Sequence, residues 1–191
     1  MKIGIDIDDT VTYTNELMVE EAIKFDEEYL NDRGFKDEKA YSFTEMLYWN
    51  TDDVEKFLQH IRGTNLLSKV KPIEGSQEII NKLVEEGNEI YFITKRSNTF
   101  HIKSLTKKWF KLNGYKYKKI YYHIKDKALF CKKNKIDILI DNDLKTAREC
   151  VELGLDYILK QDGYNYKHTK YNMIDKWEDI YKYIEKKWYN V

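Results

Sequence analysis

The sequence contains little proline and cysteine and no excess of charge of either sign. A single proline, Pro72, and eight glycines in 191 residues leave little room for a flexible linker between domains. The two cysteines, Cys131 and Cys150, form no C-x-x-C pair and are too few for a disulfide framework. We therefore expect reduced thiols, both in predicted helices, and a cytoplasmic protein.

Charge and hydropathy exclude further classes of protein. The 33 lysines and arginines balance 33 aspartates and glutamates, so no overall field favours a nucleic acid or a membrane as partner. No apolar run approaches the length of a membrane-spanning helix, and the N-terminus shows no charged-then-apolar leader. Hydrophobic residues make up 42% of the chain, which is enough for a packed core, and the length allows one domain with a modest insertion. The oligomeric state stays open.

Short apolar runs alternate with amphipathic segments, which predicts an α/β protein. The predicted strands cover residues 3–7, 89–94, 119–123, 136–140 and 156–159. Helical patterns between them imply a doubly wound, Rossmann-like parallel sheet of about five strands with right-handed crossovers. The stretch after the first strand predicts two or more helices and no convincing strand. We therefore expect a core of residues 1–13 and 71–191, with residues 14–70 inserted as a small helical cap.

Three carboxylates crowd the end of the first predicted strand. Successive side chains of a strand point to opposite faces, so Asp6 and Asp8 share a face while Ile7 points away. Two carboxylates in this arrangement suit a nucleophile and a proton-transfer partner. Asp9 adjoins them, and clustered acids repel one another unless a cation lies among them. A hard cation such as Mg²⁺ is expected, because it binds carboxylate and carbonyl oxygens.

Polar residues also follow the later strands. Thr94 ends the second predicted strand. Lys125 and Lys127 follow the third strand, and Asp141 and Asp143 follow the fourth. Parallel strands place their carboxyl ends at one edge of the sheet, and the first strand is expected to be central. We therefore expect these side chains to meet the acids of the first strand.

The stretch Asp6-Ile7-Asp8-Asp9-Thr10 resembles the D-x-D-x-T motif of the haloacid dehalogenase superfamily of phosphatases. The later residues resemble the other three motifs of that superfamily, in the same order. Thr94 occupies the place of its Ser or Thr, Lys127 (or Lys125) that of its Lys, and Asp141 that of its acid. The predicted helical insertion lies where this superfamily has a cap. The resemblance therefore implies the superfamily fold.

The metal set is implied by the resemblance and carries one departure from it. The superfamily usually has two adjacent acids after the fourth strand, whereas here Asn142 separates Asp141 from Asp143. The resemblance implies that Asp6, Asp141 and the backbone carbonyl of Asp8 hold Mg²⁺. Asp143 either acts through water or only caps the helix that follows.

The resemblance also implies phosphomonoester hydrolysis through an aspartyl-phosphate. Asp6 would attack phosphorus, while Asp8 would protonate the leaving oxygen and then activate water. Thr94 and Lys127 would hold phosphate oxygens, with Lys95 beside them. The cations are needed because two anions, a carboxylate and a phosphate, must approach each other.

A narrower resemblance concerns the end of the chain. The pairs Tyr164-Asn165 and Trp177-Glu178 are similar to pairs in the cytosolic 5′(3′)-deoxyribonucleotidase family and its bacterial relatives. This similarity implies a nucleoside monophosphate, with or without the 2′-hydroxyl, as the small-molecule substrate. Trp177 alone is better explained by core packing.

The cap is expected to select the substrate. Phe43, Tyr48 or Trp49 could stack on a nucleobase, although packing inside the cap explains each of them at least as well. Arg96 could contact the phosphate or a sugar, or could be an exposed charge. Two alternatives to a nucleotidase stay open: a phosphatase of the same fold acting on another metabolite such as a sugar phosphate, and a receiver-like phospho-signalling module.

Overall fold

Strands and helices alternate along the chain in the computed structural model, which describes residues 1–38, 40, 42–162, 165 and 171–189. The strands are β1 (Lys2–Ile5), β2 (Glu89–Ile93), β3 (Lys119–Tyr121), β4 (Ile138–Asp141), β5 (Asp156–Lys160) and β6 (Met173–Ile174). The α-helices are α1 (Thr14–Tyr29), α2 (Phe43–Met46), α3 (Thr51–Ile61), α4 (Ser76–Glu85), α5 (Phe100–Leu112), α6 (Lys127–Asn134), α7 (Leu144–Leu153) and α8 (Trp177–Ile184). None of these helices is long and apolar enough to cross a bilayer.

The strands pair into one parallel sheet in the order β3-β2-β1-β4-β5-β6. As predicted, β1 is central and lies between β2 and β4. The prediction of a doubly wound α/β fold is confirmed, with six strands in the described part of the chain instead of about five. The missed strand, β6, has two residues, which is too short for apolar periodicity to reveal it.

The central strand packs closely against the side chains of its neighbours. Gly4 of β1 lies where a Cβ atom would come within 2.9 Å of Ile93 Cδ1 and 3.2 Å of Leu139 Cδ1. The close packing therefore favours glycine at this position, because a Cβ atom would force those side chains to shift. The strands β2 and β4 pair in register with β1 on its two sides. Their carboxyl ends consequently meet at one edge of the sheet.

Helices cover both faces of the sheet. On one face, alternate strand residues pack against α4, α5 and α8, in a cluster that includes Ile3, Ile5, Ile90, Phe92, Ile138, Ile140, Ile80, Leu83, Phe110 and Trp177. On the other face, the intervening strand residues pack against α6 and α7, in a cluster that includes Tyr91, Ile93, Leu139, Ala128, Cys131 and Cys150. Both cysteines are buried free thiols. The two clusters give the sheet a hydrophobic layer on each side.

The inserted segment has an apolar cluster of its own. Its buried members are Ala22, Phe25, Leu30, Met46, Leu47, Trp49 and Phe57. The helix α3 begins at a capping box, in which the side chains of Asn50 and Asp53 each accept the backbone N–H of the other at 3.0 Å. The segment leaves the sheet region at Tyr13 and returns at Lys71, and the Tyr13 N–H donates to the Lys71 carbonyl at 3.0 Å. These features support the proposed cap of residues 14–70.

The last helix is anchored to the loop that follows β1. Trp177, its first residue, is fully buried, and its indole N–H donates to the carbonyl oxygen of Thr10 at 3.2 Å. The helix α8 ends at Ile184 and continues as a π-helical turn over Glu185–Tyr189. The C-terminal helix therefore packs directly behind the acidic loop.

Candidate active site

Charged side chains from three places in the chain converge at the carboxyl end of β1. The ammonium Nζ of Lys127, at the start of α6, lies 2.7 Å from Asp6 Oδ1 and 2.9 Å from Asp141 Oδ2. All three side chains are buried, with Lys127 only 2% exposed. Lys125, the alternative from the sequence, is exposed. The geometry therefore favours Lys127 over Lys125 as the lysine of this site.

The buried acids disfavour each other's charge. Burial, together with the carboxylates of Asp141 and Asp8, raises the pKa of Asp6 to about 7, although Lys127 acts in the opposite direction. Burial tends to lower the pKa of Lys127, but the charges of Asp141 and Asp6 outweigh it and raise that pKa. Lys127 is consequently a charged ammonium. The raised pKa of Asp6 shows that the positive charge of Lys127 does not fully offset the burial and the neighbouring carboxylates.

The donor atoms at this point fit a magnesium ion. Asp6 and Asp141 supply carboxylate oxygens, and the backbone carbonyl of Asp8 accepts no hydrogen bond from the described residues. No group of three His, Cys, Asp or Glu side chains in the described part of the chain is arranged to hold a metal by itself. A bound Mg²⁺ would therefore need the carbonyl, water or substrate oxygens in addition to the two carboxylates.

The side chain of Asp8 is held by an arginine. Arg96 donates from Nη2 to Asp8 Oδ1 at 2.6 Å and from Nε to both carboxylate oxygens at 3.1 Å. The hydroxyl of Thr14 donates to Asp8 Oδ1 at 2.7 Å. Burial tends to raise the pKa of Asp8, but the charge and hydrogen bonds of Arg96, with that of Thr14, hold the pKa below its usual value. Asp8 keeps 31% of its side chain exposed.

The remaining predicted residues lie around these two groups. Thr94 is fully buried, and its Oγ1 accepts the backbone N–H of Arg96 at 3.1 Å. Lys95 is half exposed and forms a short ion pair with Asp143. Asp143 also caps α7, because its Oδ1 accepts the N–H of Lys145 at 2.8 Å. Of the two roles left open for Asp143, helix capping is thus present.

Asp9, the residue after Asp8 in the motif, stabilises the turn between β1 and α1. Asp9 has a positive φ of 58°, and its carboxylate accepts the backbone N–H of Asn15 at 2.7 Å in the first turn of α1. Burial raises its pKa to about 7. The fold thus uses Asp9 to connect the acidic loop to the first helix of the cap.

A cavity of about 860 Å³ opens above Asp8 and Arg96. Its walls come from both parts of the molecule and include Met18, Leu58, Ile61, Arg62, Leu66 and Leu67 on one side and Ser97, Thr99, His101 and Ile102 on the other. A ring nitrogen of His101 lies 3.1 Å from the carbonyl oxygen of Thr64 and connects the two walls. The described wall is mainly aliphatic.

The aromatic residues proposed for base stacking lie elsewhere. Trp49 is buried in the cap, where its indole N–H donates to Asp26 Oδ1 at 2.5 Å. Phe43 packs on Trp49, with ring centroids 5.9 Å apart, and Tyr48 is 60% exposed. None of the three belongs to the described lining of the cavity. The physical reason for Trp49 and Phe43 is that a small cap needs them for its own core, whereas Tyr48 lies on the surface.

Two residues of this network were not anticipated from the sequence. Thr14 begins α1 and reaches back to Asp8, and Thr106, in the middle of α5, accepts from Arg96 Nη1 at 3.2 Å. A threonine at a helix start next to an acidic motif could have been predicted to contact that motif, whereas a threonine in the middle of a helix shows no such pattern.

Of the proposed Tyr164-Asn165 pair, Tyr164 lies outside the described residues. Asn165 is fully buried and donates to the Asn142 and Lys160 carbonyls at 2.9 and 2.8 Å.

Solved structures share this fold at low sequence identity. A structure described as a predicted phosphatase from Clostridium acetobutylicum matches with a TM-score of 0.64 and 16% identity, covering 97% of this chain and 98% of that one. A haloacid dehalogenase-like family hydrolase from Xanthomonas campestris matches at 0.60 and 15%, covering 97% and 95%. A haloacid dehalogenase superfamily hydrolase of subfamily IA from Geobacter sulfurreducens matches at 0.65 and 12%, covering 96% and 95%. No curated protein matches the chain.

The fold and the acids at the strand ends define a phosphatase of the haloacid dehalogenase superfamily. A family model then covers nearly the whole chain. The model described as 5′ nucleotidase, deoxy (pyrimidine), cytosolic type C protein matches residues 1–188, and the chain belongs to this family. Both resemblances noted in the sequence are thereby confirmed.

Proposed function

We propose that this chain is a Mg²⁺-dependent 5′-nucleotidase, which hydrolyses nucleoside or deoxynucleoside monophosphates through an aspartyl-phosphate. One observation carries the proposal: the buried cluster of Asp6, Lys127 and Asp141 lies beside Asp8, which faces a cavity large enough for a small substrate. Membership in a family described as 5′ nucleotidases supports the substrate class.

The proposed chemistry has two steps with complementary proton transfers. In the first, a carboxylate oxygen of Asp6 attacks phosphorus, and the bond to the leaving oxygen breaks as Asp8 gives that oxygen a proton. In the second, Asp8 takes a proton from a water molecule, which attacks the same phosphorus and releases phosphate from Asp6. Lys127 and Thr94 would hold phosphate oxygens. Lys95, at the half-exposed rim, is a further proposed phosphate contact.

The metal would be held by Asp6, Asp141 and the carbonyl of Asp8. When bound, Mg²⁺ offsets the charge of the phosphate oxygens, so that the anionic nucleophile can approach an anionic substrate. The raised pKa of Asp6 supports this proposal, because it reflects a buried carboxylate with too little positive charge around it.

The leaving group of the substrate would occupy the cavity between cap and core. Its aliphatic walls suit the faces of a nucleoside, and Arg62 on the wall is exposed. A planar guanidinium there could stack on a base. Cap residues would thus select the substrate through aliphatic contacts and Arg62.

A second candidate is a phosphatase acting on another small phosphomonoester, such as a sugar phosphate. The observation that favours it is the cavity wall, which has no phenylalanine, tyrosine or tryptophan among its described members. Base stacking would then be absent, and hydrogen bonds from groups such as His101 and Thr99 would matter more.

The test is phosphate release by the purified protein from a panel of nucleoside 5′-monophosphates, deoxynucleoside 5′-monophosphates and sugar phosphates, with Mg²⁺ and with a chelator. We expect the highest kcat/KM for a nucleotide in the presence of Mg²⁺ and no turnover with the chelator. Preference for a sugar phosphate would replace the substrate assignment. Full activity with the chelator would contradict the metal assignment.

A further inference from the structure

Arg96 is a buried arginine, and each nitrogen of its guanidinium donates a hydrogen bond to the protein. It is 8% exposed, and its Nε and Nη2 atoms contact Asp8 at 2.6 to 3.1 Å. Its third nitrogen, Nη1, donates to Thr106 Oγ1 at 3.2 Å. Every nitrogen of the side chain therefore has a protein partner, and these contacts fix the orientation of the guanidinium.

The backbone of the same residue is fixed as firmly as its side chain. The Arg96 N–H donates to Thr94 Oγ1 at 3.1 Å, and its carbonyl accepts the N–H of His123 at 2.9 Å. The residue thereby connects the segments that follow β1, β2 and β3 with the middle of α5. These contacts fix the orientation of the Arg96 guanidinium, whose planar pair of N–H donors faces the carboxylate of Asp8.

The two carboxylate oxygens of Asp8 accept different numbers of hydrogen bonds. Oδ1 accepts from Arg96 Nη2 at 2.6 Å, from Thr14 Oγ1 at 2.7 Å and from Arg96 Nε at 3.1 Å. Oδ2 accepts one contact, from Arg96 Nε at 3.1 Å. Three donors thus occupy Oδ1, whereas Oδ2 keeps free capacity. The carboxylate also lines the cavity proposed for the leaving group.

We infer that Arg96 is a positioning residue, which anchors Asp8 through Oδ1 so that Oδ2 is the atom that transfers the proton. The inference rests on the proposed function and differs from both roles that the sequence left open for Arg96, a phosphate or sugar contact and an exposed charge. The first step starts from the protonated form of Asp8. As the phosphorus–oxygen bond breaks, the proton on Oδ2 passes to the leaving oxygen, and Arg96 stabilises the carboxylate that results. In the second step, the same oxygen takes a proton from the attacking water.

The test compares two substrates that differ in their need for a proton. The leaving oxygen of deoxyuridine 5′-monophosphate must be protonated, whereas p-nitrophenyl phosphate releases an anion that is stable without a proton. We expect Arg96→Met to lower kcat for the nucleotide about 10- to 100-fold and kcat for p-nitrophenyl phosphate much less, with little change in KM. Arg148→Met, which removes an exposed arginine of α7, is the matched control and should leave both rates unchanged.

A double-mutant cycle shows whether the effect passes through Asp8. Because Arg96 acts on that carboxylate, Arg96→Met should have no further effect on the nucleotide rate in an Asp8→Asn background. Arg96→Lys keeps the charge and protects folding, but a lysine cannot span both oxygens, so we expect the same selective loss in a milder form.

Three results would overturn the inference. Equal losses on both substrates would indicate a purely structural role. A rise in KM with kcat unchanged would indicate direct contact with the substrate, and wild-type rates for Arg96→Lys on the nucleotide would mean that charge alone suffices. A separate result bears on the proposed function: if Asp8→Asn releases phosphate from the nucleotide at the wild-type rate, the role of Asp8 itself is wrong.

Discussion

The charged side chains at the two ends of the parallel sheet differ in their exposure to solvent. At the amino end, Glu89 forms a short ion pair with Lys118, and the exposed carboxylate of Asp137 accepts the backbone N–H of Lys2 at 2.6 Å. The side chains of Lys118 and Glu89 are 54% and 38% exposed. At the carboxyl end, three charged side chains retain at most 7% exposure: Asp6, Asp141 and Lys127.

The two ends of the sheet therefore differ in what their charged groups cost in stability. An exposed pair contributes little to stability, because water already solvates both partners. Burying ions costs several kcal/mol each unless their mutual contacts offset the loss of water. Collecting buried acids around one lysine is a poor way to gain stability, and the cluster at the carboxyl end therefore agrees with the proposed reaction, which needs these groups there.

The largest expected effect at the carboxyl end follows from Lys127→Met. This change leaves Asp6 and Asp141 buried without their shared cation, and we expect a loss of about 3–5 kcal/mol in the free energy of unfolding. Urea unfolding at neutral pH without added metal measures it. Phosphate release should fall at least about a hundredfold even where the variant is folded. A stable, fully active variant would remove Lys127 from the site.

A smaller effect, visible in metal binding, is expected for Asp141→Asn. The amide is a weaker ligand than a carboxylate, so the Mg²⁺ concentration for half-maximal activity should rise by more than about tenfold. Calorimetric titration of Mg²⁺ into the substrate-free protein gives a readout that does not depend on turnover. Unchanged Mg²⁺ affinity in both measurements would show that the metal lies elsewhere.

Trp49→Phe extends the comparison to the cap, where the buried polar contact is structural. The change removes the indole donor to buried Asp26, and we expect a loss of about 1–3 kcal/mol in stability. KM for nucleotides should stay the same at temperatures where the variant is folded. Tyr48→Ala, at a 60% exposed position, is the control and should change neither quantity. A raised KM for Trp49→Phe would restore the base-stacking hypothesis.

The smallest effect is expected at the amino end of the sheet. Glu89→Gln removes an exposed ion pair with Lys118, and we expect neither the melting temperature nor kcat/KM to change measurably. Parallel melting curves of this variant and of Lys127→Met would display the contrast between the two ends directly. A large loss of stability in Glu89→Gln would abolish that contrast.

Much of the sheet edge could be predicted from the sequence for a simple physical reason. A polar residue that ends an apolar run must lie at a strand end, and parallel topology brings such ends together. Asp6, Thr94 and Asp141 were found in this way. The sequence alone could not decide whether Lys125 or Lys127 enters the site, because this depends on the exact residue at which α6 begins. The two-residue strand β6 was too short to give a pattern.

Two features of the site depend on packing that no local pattern records. The contact between Arg96 and Asp8 joins positions 88 residues apart, and its direction depends on the loop after β2. The aromatic residues at 43–49 suggest a ligand surface as readily as a core. The positions of Phe43 and Trp49 follow from the small size of the cap, which needs both around Phe57 to form an apolar centre, while Tyr48 stays exposed.

The most direct test of the account replaces one aspartate at each end of the sheet. Phosphate release from deoxyuridine 5′-monophosphate with Mg²⁺ should fall at least about a thousandfold in Asp6→Asn, because the amide cannot act as the nucleophile. Asp137→Asn, at the amino end, should retain the wild-type rate. Wild-type phosphate release by a folded Asp6→Asn variant would contradict the account.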